Sequence, residues 1–257
     1  MAVVDRGRRP DLWERRAVRW VFTPDEFTHV WENETNLDRR PYPINMMPAA
    51  TARTEAEYAA LRLPQRFARQ ADPDLAAALM LCARGDATTI TISGERSRAD
   101  ARDASDGRIL AFAAVVHHHA AILVATPDKV TVWMCHARAL GRRLVQIIGV
   151  GRPGQLGRMR EPQNAVLSPE PDLAAATNGH RGATLFRETL RKPVDCRGFI
   201  TVTVEPDNPM SPPTRHRTWL DFTGDGRYLL TTSHDLILTP ITDEDFAAHL
   251  LRLAQIR

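Results

Sequence analysis

The chain has 257 residues, 43% hydrophobic and 25% charged, which is enough apolar material for a sizeable core in one large or two small domains. Net charge is +3, yet of 34 basic residues only Lys129 and Lys192 are lysine, and the arginines interleave with 31 acids. Aromatics make up 6%, and beyond the short Arg6–Arg9 run no basic stripe carries stacking rings, so the composition argues against a nucleic-acid-binding class.

Residues 1–16 read as a flexible arm without the apolar core of a secretory signal. Arg19–Phe22 is a short predicted strand. Thr23-Pro24-Asp25-Glu26 then forms a capping box, with proline at the first helical position and Phe27, Val30 and Trp31 as the apolar stripe. Thr54-x-x-Glu57 caps a second helix that Pro64 kinks or stops. Asp72-Pro73-Asp74 opens a third, which ends at a Gly85 stop. Thr88–Ser93 alternates as a half-covered strand does, and Gly94–Gly107 reads as a long polar loop. Ile109–Val116, Ala120–Thr126 and Val130–Cys135 form a predicted meander, its first two strands apolar on both faces, followed by a helix over 137–148.

Gly149–Gly182 is rich in glycine and proline without periodicity, and is taken as the connection between two halves. Beyond it come a helix at Ala183–Arg191, an alternating strand at Phe199–Glu205 and a proline-rich loop at Pro206–Pro213. A strand at Arg215–Phe222 enters the Trp219–Thr232 hairpin. Leu236–Thr239 and a Thr242-capped terminal helix complete the chain. The hairpin turn centres on Asp225-Gly226 or Gly224-Asp225, alternatives that place the strand faces oppositely. Helix, strand, long loop, strands, helix therefore occurs twice. This gives a single domain over 17–257 with pseudo-symmetric halves of about 17–149 and 182–257 and a linker over 150–181.

The motifs that suggest chemistry are weak. Cys82, Cys135 and Cys196 are odd in number and far apart, which fits a reducing, cytoplasmic setting rather than a disulfide framework or zinc knuckle. His117-His118-His119 breaks the longest apolar run, so that run cannot span a bilayer and no membrane insertion is expected. Consecutive strand residues point to opposite faces, so the three histidines cannot form a facial triad; one or two could converge with His136 or Cys135 at a turn. Gly149-x-Gly151-x-x-Gly154 matches a dinucleotide fingerprint but is followed by Gly157 and Pro162 instead of an amphipathic helix. Asp221-x-Thr223-x-Asp225-Gly226 resembles the start of a calcium loop but has Thr232 at the twelfth position. No nucleophile–base pair is apparent. The expectation is a non-enzyme without cofactor or metal, the alternative being a metal-dependent enzyme using His117–His119.

Several stretches together carry a resemblance: FTPDEFTHVWE and RRPYPI near the start, DPDLAAALMLCARGDATTITISG, ILAFAAVVHHHAAILVATPDKVTVW, LFRETLRKPVDCRGFITVTV and WLDFTGDGRYLL. In that order, across roughly residues 18–257, the chain resembles the EspG family, cytosolic chaperones of type VII (ESX) secretion in actinobacteria. The resemblance implies an α+β fold with a central, largely antiparallel sheet flanked by helices in two pseudo-symmetric halves. It also implies binding of the apolar tip of the PPE subunit in a PE–PPE heterodimer, which is kept soluble and delivered to ESX secretion components. Half-exposed strands bearing Phe, Trp and Arg suit recognition. The residues singled out for it are Phe199, Thr201 and Thr203 on one strand and Arg215, Arg217 and Trp219 on the other, the alternative for Trp219 being packing against the terminal helix.

Overall fold

A computed structural model describes residues 18–97, 107–167 and 178–257; the expected N-terminal arm and the middle of the Gly94–Gly107 loop lie outside them. The first half runs β1 (Val18–Phe22), α1 (Pro24–Thr35), α2 (Glu55–Ala60), α3 (Leu63–Arg66), α4 (Pro73–Ala83), β2 (Thr88–Arg96), β3 (Arg108–Val116), β4 (His119–Ala125), β5 (Val130–His136) and α5 (Leu140–Ile148). The second runs β6 (Met159–Pro162), α6 (Gln163–Leu167), α7 (Asn178–Leu190), β7 (Val194–Thr203), β8 (Arg215–Phe222), β9 (Gly226–Thr232), β10 (Asp235–Pro240) and α8 (Asp243–Leu253).

Local chemistry explains most element ends. Thr23 and Glu26 exchange hydrogen bonds as a capping box, as do Thr54 and Glu57, satisfying donors that a helix start otherwise leaves unpaired. The Asp72 carboxylate caps α4 through the Asp74 and Leu75 amides. Pro64 begins a separate short helix rather than kinking α2, and α4 ends at Arg84 in extended backbone, so Gly85 is not the left-handed stop its position suggested.

The strands form one ten-stranded sheet in the order β1-β5-β4-β3-β2-β7-β8-β9-β10-β6, with every neighbour antiparallel. Read inward from each edge, β1-β5-β4-β3-β2 and β6-β10-β9-β8-β7 are the same sequence of roles, joined at the β2–β7 pair. The second set begins earlier than expected. Met159–Pro162 and Gln163–Leu167 fall inside the segment taken as linker, because a four-residue strand with no alternation of its own is specified only by its pairing with Leu236–Leu238.

Helices cover the two faces differently. On one face α5 and α8 lie over the middle of the sheet, above Ile90, Ile92, Ala111, Ala113, Ile200, Val202 and Trp219. On the other, α1 and α4 cover β3–β5, and α6 and α7 cover the Phe222–Tyr228–Leu238 region. The helices on this second face stand over the outer strands of each half. None of the described helices contributes to a buried cluster over the central β2–β7 pair there.

Candidate functional site

The register across the centre decides what that second face presents. Thr89, Thr91 and Ser93 of β2 pair with Thr203, Thr201 and Phe199 of β7, and Phe199 and Thr201 pair with Thr218 and His216 of β8. These residues are half-buried or exposed, and Phe199 stands 68% exposed among hydroxyls. Two side-chain hydrogen bonds tie the strip together: Thr201 Oγ1 to His216 Nδ1 at 3.1 Å and Thr203 Oγ1 to Thr214 Oγ1 at 3.2 Å. The result is a polar floor from which the Phe199 ring projects, bounded by the α1/α4 and α6/α7 layers.

Of the six residues singled out from sequence, Phe199, Thr201 and Thr203 line this floor, whereas Arg215, Arg217 and Trp219 lie on the opposite face. Gly198 is paired with Trp219 and Phe199 with Thr218, so the phenylalanine and the tryptophan point away from each other. Trp219 is fully buried, and its ring occupies the space above Gly94 and Gly198, where a Cβ would lie 2.6 and 2.1 Å from it. Its Nε1 donates to Cys196 Sγ at 3.4 Å. Arg215 reaches the Leu253 carbonyl, and Arg217 Nε donates to His249 Nε2 of α8 at 3.3 Å. These three residues dock the terminal helix. Gly94 belongs to β2, not to a loop, because the Trp219 ring needs a strand without a side chain there.

His249 shows the electrostatic cost of that docking. Burial, with Arg217 and Arg252 nearby, pushes its imidazole down from 6.5 to about 4. The unfolded chain therefore takes up a proton that the folded chain refuses, and stability falls as pH drops from about 6.5 to about 4. His249→Gln is expected to flatten this part of the stability–pH curve, removing up to about 3 kcal/mol of acid sensitivity. Urea midpoints at pH 7 and pH 4.5 test it; an unchanged difference between the two would refute the assignment.

The Trp219–Leu230 hairpin uses its charges to hold the segment that joins the halves. Arg227 is 1% exposed, and its guanidinium makes a bidentate pair with Asp221, both bonds at 2.8 Å, and a third contact with Asp243 at 2.9 Å. Burial opposes its charge, but the bonds and charges of Asp221 and Asp243 more than offset this and raise its pKa. Asp243 also accepts from the Gly151 amide, Asp225 accepts from Gln155 N and Tyr228 Oη, and Tyr228 Oη accepts from Leu156 N. The apparent calcium-loop acids are thus committed to structural partners. Phe222 pairs with Gly226, so Thr223, Gly224 and Asp225 form a three-residue turn with Gly224 at φ +74°, and neither two-residue alternative is adopted.

The three glycines of the dinucleotide-like motif have the same explanation. Gly149 ends α5 at φ +106° against Arg96, a Cβ on Gly151 would lie 2.8 Å from the Arg227 guanidinium carbon, and one on Gly154 would lie 1.9 Å from the Tyr228 ring. The motif follows a helix and leads to β6, the reverse of the strand-to-helix context a pyrophosphate site needs.

His117, at φ +55°, and His118 form the β3–β4 turn, and His119 pairs with His136. The His118 ring lies 4.1 Å from that of His119 and 5.9 Å from that of His136, so the turn does gather imidazoles. His117, His118 and His136 border a cleft of about 860 Å³ that Asp86, Glu205 and Asp207 also line. His136 Nδ1 accepts from the Arg138 amide, capping the turn before α5, and among the described residues no three His, Cys, Asp or Glu side chains could hold a metal ion. All three cysteines are free and buried, and burial raises each thiol's pKa, Cys135 to about 11, which removes thiolate reactivity. No described helix is long and apolar enough to cross a membrane.

No curated protein matches the chain in sequence. Among solved structures, the Mycobacterium tuberculosis type VII secretion system chaperone EspG5, determined in complex with a PE25–PPE41 dimer, shares this fold. The TM-score is 0.57 at 11% identity, over 93% of this chain and 96% of that one. The EspG family model spans residues 23–252, from the first helix cap to the last turn of α8, and the chain belongs to the EspG family.

Proposed function

We propose that the protein is a cytosolic, non-catalytic chaperone of type VII secretion that covers the apolar tip of a PE–PPE-type partner with the open face of β2, β7 and β8. The observation that carries this reading is the Phe199-bearing floor between two helical layers, on a fold shared with a chaperone solved with a PE–PPE dimer. An apolar tip exposed in water invites aggregation until something covers it. A covering surface needs an aromatic anchor, satisfied polar groups around it and rigidity, all of which a ten-stranded sheet supplies without a reacting group. Thr201, His216, Thr203 and Thr214 already bond to one another, which limits the side-chain ordering that binding requires.

Co-expression with a PE–PPE pair encoded beside its gene is expected to yield a co-purifying complex. Phe199→Asp is expected to weaken that complex by about 2 kcal/mol or more, roughly 30-fold, with an unchanged thermal midpoint because the side chain is exposed. Isothermal titration and a melting curve read both. Failure of every neighbouring pair to associate would count against the chaperone role, whereas wild-type affinity in Phe199→Asp would move the interface elsewhere on the molecule.

A further inference from the structure

The helix-covered face carries a second surface, and its charges point to a different kind of partner. α5 and α8 pack closely, with Gly141 against the Ala247 carbonyl, where a Cβ would lie 2.3 Å from the oxygen. Beside this contact runs a groove of about 1080 Å³. Arg138, Arg142 and Arg143 line one wall, and Ala247 and Leu251 of α8 contribute apolar surface to the other. Arg138 lies in the short 3-10 turn that precedes α5, and Arg142 and Arg143 lie in the first turn of α5.

Local acids do not answer Arg142 and Arg143. Asp243 lies at one end of the groove, but its carboxylate is held by Arg227 and the Gly151 amide. Glu244 is the other groove acid, and among the described residues neither Arg142 nor Arg143 makes an ion pair. Arg138 gives its Nε to the oxygen of Arg257 and is thereby engaged, which leaves Arg142 and Arg143 as the unpaired cations of the wall. Two unpaired arginines beside an apolar strip, with Glu244 as the one acid not held elsewhere, are complementary to a helix that is acidic on one side and apolar beside it. Nucleic acid fits less well, since Glu244 and Asp243 would face the phosphates and the groove lining carries no Phe, Tyr or Trp for stacking.

We propose that the α5–α8 groove is a docking site for an acidic amphipathic helix of a partner protein. The groove and the Phe199 floor lie on opposite faces of the sheet, so both can be occupied at once. One molecule could then hold its cargo while bound to a second protein. This assignment does not depend on the cargo reading and survives its failure.

The probe is a fluorescently labelled helical peptide of about 14 residues, roughly 21 Å, with glutamates at i, i+4 spacing beside an alanine–leucine stripe. It is titrated into the full chain by anisotropy, alongside the same peptide with lysines in place of glutamates and a short DNA duplex. Saturable binding of the acidic peptide that weakens with salt is expected, with at least about tenfold loss in Arg142→Glu/Arg143→Glu and retention in Arg142→Lys/Arg143→Lys. Circular dichroism and a urea midpoint show whether the charge-reversed chain remains folded. The proposal is overturned if a folded charge-reversed variant binds the acidic peptide as wild type does. It is also overturned if the lysine peptide or the duplex binds as tightly as the acidic peptide, if none of the probes binds, or if the groove proves to be covered by a second copy of the chain in sedimentation.

Discussion

Replacing Arg227 with leucine is expected to cost about 3–5 kcal/mol of stability, because two carboxylates lose the cation that compensates them. Asp221 and Asp243 come from different elements, β8 and α8, and Asp243 also holds the Gly151 amide. Loss of the guanidinium therefore releases the hairpin, the terminal helix and the connecting segment together. Arg227 also lies 5.7 Å from the Phe246 ring centroid, so its removal strips a cation from a buried aromatic face. Urea denaturation measures the stability change, and limited proteolysis between Gly149 and Gly157 is expected to accelerate. The double change Asp221→Leu/Arg227→Leu is expected to recover part of the loss, since burial of an apolar pair avoids the desolvation that a lone charge suffers. An unchanged midpoint in Arg227→Leu would show that the network contributes nothing to folding.

Trp219→Ala is expected to destabilise by about 3–5 kcal/mol, the usual range for truncating a buried aromatic. The cavity cannot collapse readily, because the neighbours beneath the ring are Gly94 and Gly198, which have no side chains to fill it. The indole also gives up its contact with Cys196 and its packing in the cluster beneath α8. This outcome separates Trp219 from Phe199: truncating the first unfolds, whereas charging the second unbinds. A Trp219→Ala variant with a wild-type melting temperature would contradict its burial.

The two residues illustrate what sequence could and could not resolve. The helix starts at Thr23, Thr54, Asp72 and Thr242 were readable because each cap is made by residues within three positions of it. The alternation of Thr88–Ser93 and the apolar runs of β3 and β4 likewise marked strands through local pattern alone. From these came the helix-and-meander organisation, and with it the α+β class and the resemblance that the family model bears out.

Other features depend on partners distant in the chain. β6 has no strand pattern and exists because the edge of β10 offers it backbone hydrogen bonds. The turn after Phe222 is one residue longer than either sequence alternative, as pairing with Gly226 and the approach of Pro153 require. For a similar reason the six residues grouped from sequence divide between the faces, Phe199, Thr201 and Thr203 on the open one and Arg215, Arg217 and Trp219 beneath α8. Alternation within a strand shows which residues share a face, but only the register between strands shows which face that is, and one position separates exposure from burial. The amino-acid sequence by itself determined most of the elements, their order and the family resemblance. The tertiary structure alone decided that Phe199 faces outward and Trp219 the core, because interstrand register is set by contacts between residues far apart along the chain.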